Sequence, residues 1–138
     1  FVVTAFRQPD VNGLTSAPLE RIQIVKGWVD ASGQTGVQVF DVAEDQSSTY
    51  VIDPNTCLVT GTGADSLCAE WEDPNFDPDA RAYYYVRVLE HPTCRWNKLA
   101  CLRAQGDERS ADCDREDIPT MIRERAWTSP IWYSGEES

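Results

Sequence analysis

Alternation of apolar and polar positions, rather than helical periodicity, dominates the chain. Residues 81–90 show it most clearly, because most of them are β-branched or aromatic. The two interleaved sets there are Ala82, Tyr84, Val86 and Val88 against Tyr83, Tyr85, Arg87 and Leu89. Residues 20–29 predict a second strand, with Ile22, Ile24 and Trp28 on one face and Val25 on the other. Apolar side chains on both faces predict that this strand is covered on both sides.

Three further strands are predicted over residues 1–7, 36–43 and 126–133. Clusters of Gly, Pro, Asn and Asp separate these runs at short intervals, as in sandwiches and barrels. The strands at residues 20–29 and 36–43 lie close enough in sequence to form a hairpin. Pro130 cannot donate a ladder hydrogen bond, so it is expected at an edge or a bulge of the last strand.

Helical signals are weak and confined to two short stretches. Residues 97–104 and 119–125 could each form two turns, and the polar, acidic segment 105–117 between them predicts a surface loop. Taken together, the pattern predicts an all-β fold: an antiparallel β-sandwich with one or two short helices and long loops. No linker divides residues 1–138, which are therefore expected to form a single domain.

Composition and charge narrow the function classes. A hydrophobic fraction of 41% and five tryptophans can supply a core, and most of the tryptophans are expected to be buried in it. The net charge of −11, from 12 basic and 23 acidic residues, repels phosphate backbones, so nucleic-acid binding is not expected. No apolar run approaches the roughly 18 residues that a membrane helix needs, so membrane insertion is not expected.

Five cysteines without a CxxC motif predict structural disulfides in an exported, periplasmic or extracellular protein. Cys57 and Cys68 flank a Gly-Thr-Gly turn, and two strands joined by that turn would bring the thiols near disulfide distance. Cys94 is expected to pair with Cys101 or with Cys113, and the sequence leaves both pairings open. The odd count leaves one thiol free, bonded to a segment outside this chain, or available to link a homo-oligomer.

The sequence offers candidate ligands for two metal sites, but neither set has the residue spacing of a known metal-binding motif. A zinc site from His91, Cys94, Cys101 and Cys113 has looser spacing than ordinary zinc motifs. Calcium candidates are the oxygen-bearing side chains of Asp73, Asn75, Asp77 and Asp79. This segment has two prolines and lacks the glycine and bidentate glutamate of an EF-hand, so a turn capped by its own side chains is the simpler interpretation. No cofactor, resident metal or catalytic residue is expected.

Four stretches of the sequence, residues 18–28, 77–90, 94–96 and 124–133, resemble the C-terminal part of an uncharacterised bacterial family known as domain of unknown function 3604. The resemblance implies a parent protein several times longer, often exported, whose N-terminal region is similar to metal-dependent PHP and amidohydrolase barrels. Such barrels bind their metals through several histidines and acids. This chain has only His91, so the resemblance implies that any such metal site lies in another part of the polypeptide.

We therefore expect a non-catalytic, C-terminal accessory β-sandwich domain, acting in interdomain packing or substrate access beside the barrel-like domain of the same polypeptide. That role predicts an exposed apolar patch, with Trp96 and Trp127 as the candidates for it. The alternative is a module that binds carbohydrate or another extracellular ligand through exposed tryptophans. Such a module needs two or three of these rings on one face.

Overall fold

The long alternating segments all become strands of one sheet. The structure is a computed structural model that describes residues 1–11, 15–30, 32–104, 106 and 109–135. Its strands are β1 (Val2–Phe6), β2 (Leu19–Val29), β3 (Thr35–Glu44), β4 (Val51–Ile52), β5 (Val59–Thr60), β6 (Ser66–Glu70), β7 (Arg81–Glu90), β8 (Thr93–Cys94), β9 (Met121–Ile122), β10 (Arg125–Trp127) and β11 (Ile131–Tyr133). Helix α1 spans Trp96–Arg103, and a 3₁₀ helix spans Ala111–Asp114. The all-β, antiparallel prediction is confirmed.

The main sheet has five strands with β2 at its centre. Strand β3 pairs with one edge of β2 and β7 with the other, while the short strands β10 and β11 both pair with the far edge of β7. All of these pairings are antiparallel, and the predicted hairpin of β2 and β3 is confirmed. The register of that hairpin shifts after Ile22, which faces Ala43, because Gln23 faces Asp41 and Val42 is an extra residue.

The core lies between this sheet and the two-stranded sheet of β1 and β6. Ile24, Ala82 and Tyr84 are buried there, and Val3 and Trp71 of the smaller sheet region pack against them. Aromatic rings pack in this layer beside the aliphatic side chains of the cluster. The side chains involved are Phe1, Phe40, Trp71 and Tyr84, whose ring centroids lie 4.9–6.5 Å apart.

Residues 93–122 form a separate small lobe beside the end of β7. Its base is the pairing of β8 with β9, and the Arg95 N–H extends that pairing by donating to the Thr120 carbonyl at 2.9 Å. None of the eight residues of α1 is buried, so the helix has little core of its own. The chain returns from the lobe directly into β10, at the edge of the main sheet.

Two expectations about the C-terminal third are wrong. Residues 119–125, predicted as a helix, instead supply β9 and the start of β10, because Met121 and Ile122 pair with β8. The predicted strand at 126–133 divides into β10 and β11 around Pro130, and both parts pair with β7. In the predicted loop 105–117, residues 105, 107 and 108 lie outside the described residues. Within the described residues, no helix has the length and apolar character needed to cross a bilayer.

Candidate functional site

One face of the main sheet carries exposed apolar and aromatic side chains around a buried centre, where Val25 is 3% and Gln23 8% exposed, and we call it the open face. Register places its members in three rows that cross the strands. The rows are Val37–Gly27–Tyr83–Trp132, Val39–Val25–Tyr85, and Asp41–Gln23–Arg87–Trp127. Trp132 is 74% exposed, Val37 66% and Trp127 59%. Large side chains that face water in adjacent rows are unusual, because monomeric domains seldom leave apolar surface contiguous.

A glycine organises the aromatic part of the open face. The Tyr83 ring lies across the backbone of Gly27, where a Cβ atom would collide with the ring. Tyr83 is nearly parallel to Tyr85, with 8° between the ring planes and 6.4 Å between centroids. The Trp132 ring is tilted by 53° against Tyr83, with 5.4 Å between centroids. Because Gly27 has no side chain, the Tyr83 ring can lie over it, and the three rings form a continuous aromatic row across β7 and the edge strand β11.

The third row of the open face is polar and internally hydrogen-bonded. The Gln23 side chain donates to Asp41 Oδ1 at 2.7 Å and accepts from Arg87 Nε at 2.7 Å. Arg81 and Arg125 lie on the same face, since each stands two residues before an aromatic member of that face, Tyr83 on β7 and Trp127 on β10. A chain with net charge −11 thus gathers three arginines around one aromatic surface.

The expectation that most of the five tryptophans are buried is wrong. Trp28 and Trp71 are partly buried and pack against the core, but Trp96, Trp127 and Trp132 are exposed. Of the two sequence candidates, Trp127 lies on the open face and Trp96 lies on α1, outside the sheet. The structure instead brings Trp127 and Trp132 onto one face. Trp132 was missed because a single predicted strand over 126–133 hid its pairing with Tyr83.

The calcium candidates form a capped turn that is pinned to the core by a lysine. The Asp73 carboxylate forms a buried ion pair with Lys26, accepts from the Tyr84 hydroxyl at 2.7 Å, and accepts from the Asn75 N–H at 2.9 Å. Asp77 likewise accepts from the Asp79 N–H at 3.0 Å. An ammonium group therefore already neutralises the most buried of these carboxylates, which is the reverse of what a cation site requires.

The environment of Asp73 is reflected in two pKa values. Burial alone would raise the pKa of Asp73, but the hydrogen bonds from Lys26, Tyr84 and the Asn75 backbone outweigh it and hold that pKa below its ordinary value. Burial raises the pKa of Tyr84, and its hydrogen bond to Asp73 raises it further. Both shifts favour a fixed carboxylate–ammonium–phenol cluster, so this cluster fastens the Asp73 turn to the sheet.

The predicted disulfide pairings are wrong. Cys57 is bonded to Cys94, with 5.9 Å between Cα atoms, and Cys101 is bonded to Cys113, with 5.6 Å. A Cys57–Cys68 bond requires one hairpin around the Gly-Thr-Gly turn, but β5 before that turn pairs with β4 and β6 after it pairs with β1. Cys68 is an exposed free thiol on β6. A bond from it to a second molecule stays a prediction.

The disulfides also remove the conceivable zinc site. Cys94, Cys101 and Cys113 are all oxidised, so no thiolate of that set is available to accompany His91. Among the described residues, no group of three or more His, Cys, Asp or Glu side chains is arranged to hold a metal ion. The His91 ring instead packs against Tyr50, with 5.1 Å between centroids.

The comparison with known proteins agrees with the four motif stretches. The family described as protein of unknown function, DUF3604, matches residues 1–135 of the 138-residue chain. Neither a curated protein nor a solved structure matches the chain significantly. The family match covers nearly the whole chain, including both disulfides and the strands that build the open face. The chain therefore belongs to the DUF3604 family.

Proposed function

We propose that this chain is a non-catalytic accessory β domain that packs, through its open face, against a barrel-like domain of the same longer, exported polypeptide. The observation that carries the proposal is the exposure of Trp127, Trp132 and Val37 on one sheet face. Each Å² of apolar surface removed from water contributes about 25 cal/mol, so an exposed face of this kind gains free energy when a partner covers it.

The residue types of the open face are those of protein interfaces. Interface cores are enriched in Trp, Tyr and Arg and depleted in Lys, Glu and Asp, and the residues that dominate binding energy have the same bias. The open face combines Trp127 and Trp132 with Tyr83, Tyr85 and Arg87. The partner surface should accordingly carry an apolar patch, with carboxylates placed opposite the arginines of the open face.

The cysteine chemistry supports export of the parent protein. Disulfides persist in oxidising compartments and are rare in the cytosol. Two such bonds are present in this chain, at sequence separations of 37 and 12 residues. A periplasmic or extracellular location is therefore part of the proposal.

Mixing separately produced domains tests the packing role. The 138-residue chain should bind the purified barrel-like region in isothermal titration calorimetry. The double variant Trp127→Ser/Trp132→Ser should bind at least tenfold more weakly, since central aromatic residues carry most of an interface's energy. Trp96→Ser is the matched control, because it removes an equally exposed tryptophan outside the sheet and should bind as the parent chain does. Equal losses in the two variants, or no binding by the parent chain, would contradict the proposal.

An activity screen tests the non-catalytic part of the proposal. Hydrolase activity is expected in the full-length polypeptide and not in the 138-residue chain alone. Turnover by the isolated chain that persists after removal of contaminating proteins would overturn this part. The full-length double variant Trp127→Ser/Trp132→Ser should lose activity or stability relative to full-length Trp96→Ser, because the two domains would no longer hold a fixed arrangement.

A saccharide-binding module is the second candidate, and the aromatic row favours it. Trp132, Tyr83 and Tyr85 present adjacent rings, and such surfaces stack against sugar rings. Affinity electrophoresis of this chain through gels containing soluble polysaccharides distinguishes the two candidates. Retardation that disappears in Trp132→Ser and persists in Trp96→Ser would support the module. Unchanged mobility in every polysaccharide tested would leave domain packing as the use of this face.

A further inference from the structure

Strand β3 forms one edge of the main sheet, and its outer side has no partner among the described residues. The Asp30 N–H donates to the Gln34 carbonyl at 2.9 Å, so these two residues form a hydrogen-bonded pair at the end of the hairpin. Hydrogen-bonded pairs alternate along an antiparallel ladder, which directs the even-numbered residues 36–40 toward β2. The backbone N–H and C=O groups of the odd-numbered residues 35–39 therefore point away from the sheet.

This edge lacks the features that usually prevent strands from adding to a sheet. Edge strands are commonly protected by charged side chains, prolines, bulges or short length. The opposite edge of the main sheet has such protection, because β10 and β11 are three residues each and Pro130 lies between them. Residues 35–40 of β3 contain neither a charge nor a proline. The acids Asp41 and Glu44, and the register shift at Val42, come only after this segment.

Both sides of the β3 edge are open to solvent. On the open face, Val37 is 66% and Val39 44% exposed. Gln38 lies on the opposite side of the strand and is exposed as well. The β1–β6 layer therefore does not extend over these residues, so a further strand can approach and pair with the outward backbone groups.

The sequence of the edge is complementary to itself around Gln38. If two copies pair antiparallel across a two-fold axis at Gln38, Val37 of each copy faces Val39 of the other. Pairs of β-branched side chains stabilise adjacent strands. In the same register, Thr35 of one copy faces Asp41 of the other, so a hydroxyl donor meets a carboxylate and no acid faces an acid. This register also brings outward-pointing residues opposite outward-pointing residues, as an antiparallel ladder requires.

We propose that two copies of this chain associate through the outer edges of β3, in the register centred on Gln38. The two five-stranded sheets then form one continuous sheet, and their open faces become contiguous. Each copy carries a net charge of −11, which opposes association. The uncharged segment 35–40 is where two such acidic surfaces can meet with least repulsion.

The association is expected to be weak and independent of the proposed packing role. One pair of strands buries little surface, which places the dissociation constant on the order of 0.1 mM. Trp127 and Trp132 lie beyond β7, at the other side of the sheet from β3. A partner bound to those tryptophans is therefore not required for the edges of β3 to pair.

Cross-linking with single introduced cysteines tests the register. All samples carry Cys68→Ser, which removes the exposed free thiol, and contain about 0.5 M sodium chloride to screen the repulsion. Gln38 faces its own copy as a non-hydrogen-bonded pair, with about 4.5 Å between Cα atoms, which suits a disulfide. Gln38→Cys should therefore give a covalent dimer when oxidised glutathione is added.

Val39→Cys is the matched control for the cross-linking. It places an equally accessible thiol one residue away on the same edge. In the proposed register the two copies of this position are offset by two residues, so their Cα atoms lie beyond the limit of about 7 Å for a disulfide. Cross-linking of Val39→Cys should be at least about tenfold slower than that of Gln38→Cys.

A proline tests whether backbone hydrogen bonds hold the dimer together. Val37→Pro removes an outward N–H group and leaves the hydrogen bonds between β3 and β2 in place, because proline is tolerated on edge strands when its nitrogen faces solvent. In ¹⁵N NMR spectra of the Cys68→Ser chain, signals of residues 35–41 should shift with concentration between roughly 0.02 and roughly 1 mM. Val37→Pro should abolish these shifts. If its spectrum shows that β2 and β3 are unfolded, the comparison of Gln38→Cys with Val39→Cys decides the question.

Three results would overturn the proposal. They are a monomer at every concentration, equal cross-linking rates for Gln38→Cys and Val39→Cys, and loss of the Gln38→Cys cross-link when Trp132→Ser is added. The last result would mean that two copies meet through the open face instead of through β3. Because Trp132 lies at the far side of the sheet, the cross-link should persist in that variant, and failure of the packing proposal would leave this outcome unchanged.

Discussion

The two faces of the main sheet are built from the same strands but differ in how much of their outer surface is exposed, since Trp127, Trp132 and Val37 of the open face are exposed around a buried Val25. On β7, Tyr84 is buried beneath the β1–β6 layer, whereas its neighbours Tyr83 and Tyr85 belong to the open face. The face beneath the β1–β6 layer, which carries Ile24, Ala82 and Tyr84, is called the covered face, and it contains the buried ion pair of Lys26 with Asp73. The open face carries the aromatic row and the arginines. Successive residues of a strand point to opposite faces, so one sequence can serve folding on one side and recognition on the other.

The hydrophobicity of a residue type does not by itself predict which side chains are buried in the core. Trp132 and Trp28 are equally apolar, yet Trp28 packs against the core and Trp132 is 74% exposed. A surface this apolar is not required by the fold, because the covered face already supplies the buried cluster. Substitutions of the buried residues of the covered face should therefore affect stability, and those of the exposed residues of the open face, such as Trp132 and Val37, should affect association.

Removal of Asp73 should give the largest effect. Asp73→Ala leaves the Lys26 ammonium buried without its partner, since their side chains are only 3% and 7% exposed. Loss of one partner of a buried pair costs about 3–5 kcal/mol, which should appear as a lower urea midpoint. The double variant Lys26→Met/Asp73→Leu should be clearly more stable than Asp73→Ala. A single variant within 1 kcal/mol of the parent, by this order-of-magnitude estimate, would mean that the pair contributes little.

Truncating one aliphatic side chain on each face should lower the free energy of unfolding by different amounts. Ile24→Ala opens a cavity in the covered cluster, where Ile24 is fully buried, and should cost about 2–4 kcal/mol in urea unfolding. Val37→Ala on the open face should cost less than about 1 kcal/mol, since Val37 is mostly exposed and loses mainly strand propensity. Comparable costs for the two variants would show that the open face also contributes to folding.

The sequence predicted the main sheet well, because its signals are local. Residues 20–29, 36–43 and 81–90 alternate strongly and are rich in β-branched or aromatic side chains, and each became a long strand of the sheet. The short strands were not predictable in the same way. Residues 119–125 have a weak helical signal, and only the pairing of Met121 and Ile122 with β8 makes part of them extended.

The candidate site was predictable only in part. Trp127 was identified as an exposed candidate, but its neighbours on the open face depend on register, which sequence spacing does not reveal. The cysteine pairings failed for a related reason. Nearness in sequence favoured Cys57 with Cys68, whereas the strands around the intervening turn pair with different partners and carry the two thiols apart. Both misses concern long-range pairing, which local patterns cannot specify.

Acid should remove the stability that the Asp73 carboxylate gives to the covered face. The pKa of Asp73 is lower in the folded chain than its ordinary value near 3.8. The unfolded chain therefore binds the proton first, so the stability from this carboxylate is present above about pH 4 and is lost as pH falls through the folded pKa. Urea unfolding at pH 6 and pH 3 should show a smaller loss in Asp73→Asn than in the parent. Trp132→Ser should show the same loss as the parent.

The smallest expected change in stability tests whether a partner covers the open face in the longer polypeptide. Trp132→Ser should change the stability of the 138-residue chain by no more than about 1 kcal/mol, because the ring is mostly exposed and its aromatic contact is with Tyr83, at 5.4 Å between centroids. In the longer polypeptide the same substitution should cost more, measured as a fall in the thermal midpoint relative to full-length Trp96→Ser. The difference between the two contexts reports the contacts that the open face makes only when covered. If Trp132→Ser lowers stability equally in the 138-residue chain and in the longer polypeptide, Trp132 contacts no partner in the parent protein. The open face would then be exposed without serving as a binding surface.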